Sequence, residues 1–503
     1  MNSNDSTPPS HGIRLFLAIS VGLLSCSLSA ELTLDQVIYE AISNNKSLQI
    51  ESKDPLIQEQ NLIVEEAQFD TTLFGSYNFS ESSLDRETND GSVNEFSESV
   101  QVSGGVRKDF SLGTAVTLQT YYQSREGRTY NSELDQFFGG DPSYNTFIRL
   151  NVRQPLLRGF GRKANLAGIH QAQKQIEIAK LEYTNLLLDV VNQTEKAYWR
   201  LAFQNARLAL TTTSLEVAEN LLKETEQREE LGLATKLDVL QAKANLASQK
   251  ENYIEAQRGV EDASDELLTY MGKMAPGMAD QSIQVSPLPN LGPSVPNIGT
   301  AWGGALNTDL DLTIQKLRIE SLGFDEIILK DREKTQLDLV LSGRSNGLSD
   351  SRKSAITGSL EKQGYDASIG IELNVPIGKR ASKANLKRVE LQIDREELRY
   401  DRFEENLYQI VRQRLRTFEV SLEKLEAART TLELRNEFFE QEQVKYTNGL
   451  AVFRDVQEAQ DDLNRARISE LNAWLSALQA KADLARLDGS LLKERNISIE
   501  FQK

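Results

Sequence analysis

The sequence holds two histidines and one cysteine in 503 residues. A Cys/His zinc site or a Cys–His nucleophilic pair is therefore close to excluded by count, and disulfides within the chain are impossible. No Gly-rich phosphate loop and no EF-hand spacing appear. Carboxylates are plentiful, with 74 Asp and Glu against 57 Lys and Arg. The most regular acidic spacing is Asp455, Glu458 and Asp462. At i, i+3 and i+7 these would share one face of a helix. Such a face is either solvated, as most charge runs are, or turned toward something that reads negative charge. Asp238 has a local use: Thr235-x-x-Asp238 resembles a capping box, with the carboxylate near the start of a helix. Nothing here composes an acid–base pair in a pocket. An enzyme is not expected, nor is a cofactor or a metal.

Both acidic stretches follow the same short phrase. GLATKLDV starts at Gly232 and GLAVFRDV at Gly449. Gly232 and Gly449 suit tight reversals, where a positive φ costs glycine little. Leu233 and Leu450 come next as apolar residues at the end of a polar hairpin. They either dock a partner or bury against a neighbouring hairpin. The second phrase has Val452 where the first has Thr235, so Asp455 lacks that capping partner.

Long helices must carry these tips. No proline occurs between Pro155 and Pro276, and none after Pro376; a helix interior needs that absence. Ile169, Ile176, Tyr183 and Val190 are spaced by seven. Leu201, Leu208, Leu215 and Leu222 continue on a shifted frame. Val239, Leu246, Tyr253, Val260 and Leu267 repeat by seven beyond the first tip. This is coiled-coil spacing. A helix over 162–230 would run roughly 100 Å at 1.5 Å per residue, with the returning helix as its antiparallel partner.

The plan occurs twice. NVRQP (151–155) is echoed by NVP (374–376), KANL (163–166) by KANL (383–386), and VVNQ (190–193) by IVRQ (410–413). The tips follow in the same order, which argues for internal duplication. The expected division is a signal peptide over 1–30, a first repeat over 31–275 and a Pro-rich linker over 276–296. A second repeat spans 297–489 and a tail 490–503. Six segments show partial apolar/polar alternation and read as strands: 69–80, 98–110, 114–124, 145–155, 336–343 and 365–375. DFSLGT is a short turn, while the other connections are long and polar. Short turns on one side and long loops on the other fit a transmembrane β-barrel. Phe74, Tyr77, Phe79, Tyr121, Tyr122 and Phe147 suit its interfacial girdles. An ordinary periplasmic sheet is the alternative.

The N-terminus reads as an export signal: Arg14 leads into LFLAISVGLLSCSLSA, an apolar run that ends in small residues. Cys26 in LLSC resembles a lipobox, so the chain is either a lipoprotein acylated at Cys26 or is cleaved near Ala30. No later segment has a long apolar stretch. The net charge of −17 makes nucleic acid an unsuitable partner.

Together, these features resemble the TolC-type outer-membrane efflux proteins. LTLDQVIYEAISNNKSLQI (32–50) is similar to the family's opening segment, RQPLLRGFG (153–161) to its strand-to-helix exit, and the paired tips to its two periplasmic hairpins. The resemblance implies an α+β membrane protein: a homotrimer with one shared outer-membrane β-barrel, continuous with a long periplasmic α-helical barrel. It implies a passive exit duct of a tripartite efflux or type I secretion system in a Gram-negative-type bacterium. A periplasmic adaptor (membrane fusion) protein would dock at Gly232, Leu233, Gly449 and Leu450, and an inner-membrane pump would supply energy. In a trimer, Asp455, Glu458 and Asp462 would form stacked acidic rings at an aperture. Tyr446 matches the tyrosine of the family's closing link and Asp238 its acidic partner. The linking arginine would fall at Ala451, so the latch must be built differently here. The family pattern is four strands per subunit; six candidates occur, with the hairpin 98–124 as surplus, either outside the common barrel or overcounted. The rival reading is a periplasmic coiled-coil scaffold without a channel.

Overall fold

The computed structural model describes residues 14–17, 31–88, 91–131, 134–275, 283–289, 292 and 295–501. Cys26 lies outside them, as does most of the expected signal peptide and linker. The chain begins with strand β1 (Arg14–Leu17), then helices α1 (Leu34–Asn44), α2 (Lys46–Glu51) and α3 (Asp54–Glu66). Strands β2 (Thr71–Thr88), β3 (Gly91–Asp109), β4 (Ala115–Asn131), β5 (Gln136–Gly139) and β6 (Ser143–Pro155) follow. Then come α4 (Arg162–Asn165), the first hairpin α5 (Ala167–Glu230) and α6 (Lys236–Tyr270), and α7 (Ile298–Thr308) with α8 (Leu310–Glu333). The second half has β7 (Gln336–Ser349), α9 (Arg352–Leu360), β8 (Gly364–Asn374), the second hairpin α10 (Arg380–Thr447) and α11 (Phe453–Leu487), α12 (Leu491–Glu494) and β9 (Ile497–Glu500). Two compact units emerge: residues 1–56, 178–316 and 398–503, and residues 57–177 and 317–397. Among the described residues no helix is long and apolar enough to cross a membrane.

The first unit is helical apart from the antiparallel pair β1–β9. Its core gathers Val37, Ile38, Leu48, Leu187, Tyr198, Leu201 and Leu267 from α1, α2, α5 and α6, with Met271 at the C-cap of α6. Tyr198 donates from its hydroxyl to the Leu32 carbonyl at 2.9 Å and accepts from the Ser286 amide at 3.0 Å. This ties part of the expected linker to the core. Val411, Phe418 and Leu425 hold a heptad seam on α10. Toward the tips the seam changes. The buried residues are Thr211, Ser214, Ala218 and Thr225 on α5, and Ala242, Asn245, Gln249 and Ala256 on α6. The larger Leu208, Leu215, Leu222, Val239, Leu246 and Tyr253 are only half-buried. Small side chains let helix axes approach closely, which displaces the bulky heptad residues to the flanks. Asp483 links the two hairpins: it accepts from Asn192 at 3.1 Å and from Arg414 at 2.8 Å, and pairs with Lys196.

The second unit is built on an antiparallel sheet in the order β2-β3-β4-β6-β7-β8, with short β5 added to β4. All six expected strands form, and most extend further at their loop ends. The hairpin β3–β4 sits inside the sheet, so its two strands are not an overcount. Its turn closes with the Phe110 amide donating to the Thr114 carbonyl at 2.9 Å and Gly113 at φ +91°.

The register sorts the side chains. One cross-strand row reads Leu73, Val106, Leu118, Leu150, Gly343, Ala367; the next residue along gives Thr72, Arg107, Thr117, Asn151, Ser342, Ser368. One face is apolar and the other polar, as alternation dictates. The apolar face is open: Leu73 is 81% exposed, Ile369 75% and Ile371 68%. Among the described residues, outer strands β2 and β8 each pair on one side only. Helix α9 rests on the apolar face, where Thr146 Oγ1 donates to the Ala355 carbonyl at 2.5 Å. A Cβ at Gly347 would meet that carbonyl oxygen at 2.0 Å, so only glycine fits beneath the helix.

Candidate functional site: the two hairpin tips

Both tips close by the same hydrogen-bond pattern. At the first, the Leu233 amide donates to the Arg228 carbonyl at 2.7 Å and the Gly232 amide to Glu229 at 2.9 Å. At the second, Leu450 donates to Lys445 at 2.8 Å and Gly449 to Tyr446 at 3.0 Å. Each is a Schellman closure with glycine in the left-handed position: Gly232 at φ +72° and Gly449 at φ +76°. The repeated phrase is therefore a repeated helix stop.

The returning helices start differently. Thr235 caps α6: its hydroxyl accepts from the Asp238 amide at 3.3 Å, and the Asp238 carboxylate accepts from the Thr235 amide at 2.8 Å. The Thr235 amide first, and then the Thr235 hydroxyl, which donates to the same carboxylate at 2.7 Å, hold the Asp238 carboxyl below its ordinary value. The Val452 side chain has no acceptor, so the Asp455 amide donates to the Val452 carbonyl at 3.0 Å instead, and α11 keeps only the return half of the box, a long bond of 3.4 Å from the Val452 amide to Asp455. Asp455 lacks a threonine partner, as expected, but it does accept from the backbone. Its side chain is 40% exposed, with Arg454 at 4.0 Å.

Asp455, Glu458 and Asp462 do share one face. They line a groove of about 510 Å³ between α10 and α11, opposite Arg435, Glu442 and Lys445. They are not equivalent. Asp462 is 2.6 Å from Arg435 and also pairs with Arg465. Two guanidiniums cancel the charge that an acidic ring would need from it, whereas Asp455 and Glu458 stand nearer the tip and more exposed. Sequence reasoning missed both arginines. Arg465 was findable three residues on from Asp462; Arg435 lies on another helix and left no local signal.

Tyr446 meets a cation that no sequence spacing singled out. The Arg228 guanidinium lies over its ring, 4.6 Å from the centroid. Arg228 belongs to the first hairpin and also faces Glu224 at 3.6 Å. Burial pushes the Tyr446 phenol above its ordinary value; Arg228 opposes the rise, and the charges of Glu224 and Asp238 add to it. Tyr446, Arg228 and Asp238 thus form one cluster across the two hairpins.

The tips also carry apolar surface. Leu233 is 70% exposed and Leu450 79%, with Leu231, Leu237, Leu240 and Val452 exposed beside them. Neither leucine is buried against the other hairpin of the same chain.

Helical hairpins with paired tips, joined in one chain to an amphipathic open-edged sheet, define the outer-membrane channel class. The comparisons agree. The family model described as outer membrane efflux protein matches residues 107–273 and 334–490, one stretch in each half and more than half of the chain. The chain belongs to that family, whose members are transport channels and not enzymes. No curated protein sequence matches. The fold is similar to that of the Campylobacter jejuni CmeC outer membrane channel, at 13% identity over 97% of each chain with a TM-score of 0.66. It is similar to VceC of Vibrio cholerae at 16% identity, covering 91% of this chain and 96% of that one, TM-score 0.64. The open state of the Neisseria gonorrhoeae MtrE channel matches at 18% identity, covering 91% and 88%, TM-score 0.62.

Proposed function

We propose that the protein is the outer-membrane exit duct of a tripartite efflux or type I secretion system. The observation that carries this reading is the sheet. It has one exposed apolar face, one polar face and two open edges. Lipid tolerates an apolar face but not unpaired strand edges, so copies must close on one another through β2 and β8. Three copies with six strands each make a barrel of roughly 18 strands, a size that encloses an aqueous channel. At about 4.8 Å between strands and a tilt of about 40°, its radius is roughly 18 Å, against roughly 12 Å for four strands per copy. The helical hairpins would form the periplasmic tunnel, the apolar tips would dock the adaptor, and an inner-membrane pump would supply energy. Asp455 and Glu458 would ring the aperture, with Asp462 held back by its arginines. The Arg228–Tyr446 contact would take the place of the missing latch arginine. Export would depend on the N-terminal signal, with Cys26 as the acylation point or part of the removed segment.

Electron microscopy of the detergent-extracted protein tests the assembly. A three-fold ring of six strands per copy is expected. A monomer, or a filament with no barrel, overturns the reading in favour of a periplasmic scaffold.

A further inference from the structure

The groove between α9 and the apolar strand face belongs to no part of the exit pathway. It measures about 620 Å³. Val102, Tyr122 and Ile148 form its floor, Ile356 and Leu360 of α9 its wall, and Arg352 also lines it. The floor residues all lie on the apolar face, since Val102 pairs with Tyr122 and Tyr122 with Thr146. Ile356 and Leu360, one helical turn apart, are 44% and 64% exposed. The groove is thus continuous with the surface that the barrel reading assigns to lipid.

Thr146 and Ser359 also line it, but their hydroxyls are spent on the Ala355 and Ile356 carbonyls, and Thr120 and Ser124 are small; two larger polar groups stand out. The Tyr122 hydroxyl is buried and has no hydrogen-bond partner among the described residues. A buried donor without an acceptor is costly, so a site that keeps one has an acceptor to offer it. Tyr122 stacks on Tyr144 at 6.3 Å, and the Arg352 guanidinium lies 5.9 Å from the Tyr144 ring on the same face. A fixed cation therefore stands one aromatic ring away from the orphaned hydroxyl. Lys353 follows it, exposed, in the first turn of α9.

We infer that this groove binds a net-anionic phospholipid with ester-linked acyl chains, one whose headgroup carries no cation of its own to face Arg352 and Lys353. The acyl chain fills the apolar wall and floor, an ester carbonyl accepts from Tyr122, and the phosphate sits against Arg352. Apolar walls suit the chain; one lone donor and one guanidinium complement the two polar parts of such a lipid. No bond is made or broken. The inference rests on the barrel reading, because only that reading brings lipid to this face.

The test is native mass spectrometry of the full-length detergent-extracted protein, titrated with phosphatidylglycerol and, separately, with neutral phosphatidylcholine. One phosphatidylglycerol per chain is expected to stay bound at collision energies that strip phosphatidylcholine. Arg352→Ala should weaken this by about tenfold, the usual worth of a charge-assisted contact. Tyr122→Phe should also weaken it while leaving thermal stability without lipid unchanged or raised, since it deletes the unpaired hydroxyl. Equal retention of the two lipids, or Arg352→Ala and Tyr122→Phe proteins that bind like the parent, overturns the site. Flotation with phospholipid vesicles separates the two failures. A protein that floats but shows no selective lipid refutes the groove alone; a protein that does not float refutes the barrel and the groove with it.

Discussion

Removing the Arg228–Tyr446 contact should loosen the tips by an amount that can be worked out. The guanidinium lies 4.6 Å from the ring centroid, and the Arg228 side chain is 28% exposed. Cation–π pairs contribute about 0.5–1 kcal/mol when exposed and about 2 when desolvated, so this half-shielded pair contributes about 1 kcal/mol. That is about fivefold in the equilibrium between a closed and a loosened tip. If three copies open together the effects multiply, to about 3 kcal/mol or roughly 150-fold. The perturbation is a double-mutant cycle of Arg228→Gln, Tyr446→Leu and the pair. The cycle matters because Arg228→Gln also loses Glu224, and the double mutant subtracts that loss. Hydrogen exchange of the tip amides, followed by mass spectrometry, reads opening within each chain. Conductance in planar bilayers reads it for the assembly. Each single mutant should exchange faster at both tips, and the double mutant should add little. A coupling of less than about 0.3 kcal/mol, within the scatter of independent sites, would show that the two side chains touch without holding anything.

The two capping sites make a matched pair. Thr235→Ala should destabilise the first tip by about 1 kcal/mol, while Val452→Thr should stabilise the second by about 0.5–1 kcal/mol, because the Val452 backbone at φ −93° and ψ 158° already suits a cap; hydrogen exchange at α6 and α11 checks both. Hydrogen bonds hold the Asp238 carboxyl below its ordinary value, so its contribution is complete above the unfolded pKa near 4 and drains as pH falls through the lower folded value. Tip exchange should therefore rise at acidic pH, and Asp238→Asn should flatten that rise. The acids should separate in function: Asp455→Ala changes cation selectivity or raises conductance, whereas Asp462→Asn leaves selectivity alone and destabilises the α10–α11 packing by freeing Arg435 and Arg465. Equal effects of the two on reversal potential would refute this division.

Much of this molecule is written locally in its sequence. Proline-free spans, heptads and two Gly-Leu-Ala phrases are enough to place four long helices and two tips, since helix period, helix stop and left-handed glycine are settled within a few residues. Strand alternation is equally local, and it located all six long strands, though not the short β1, β5 and β9. What sequence could not supply is which distant groups meet. Whether β3 and β4 belonged to the sheet depended on pairing with neighbours, not on their own pattern. Asp455 and Asp462 look alike in sequence, yet only the approach of α10 brings Arg435 to one and not the other. The seam moved to small residues because helix spacing is decided by the pair. Tyr446 and Arg228 are separated by about the length of one repeat and no spacing rule joins them. Local periodicity builds each element alone; charge compensation and contact between hairpins are properties of surfaces that exist only once the elements have packed.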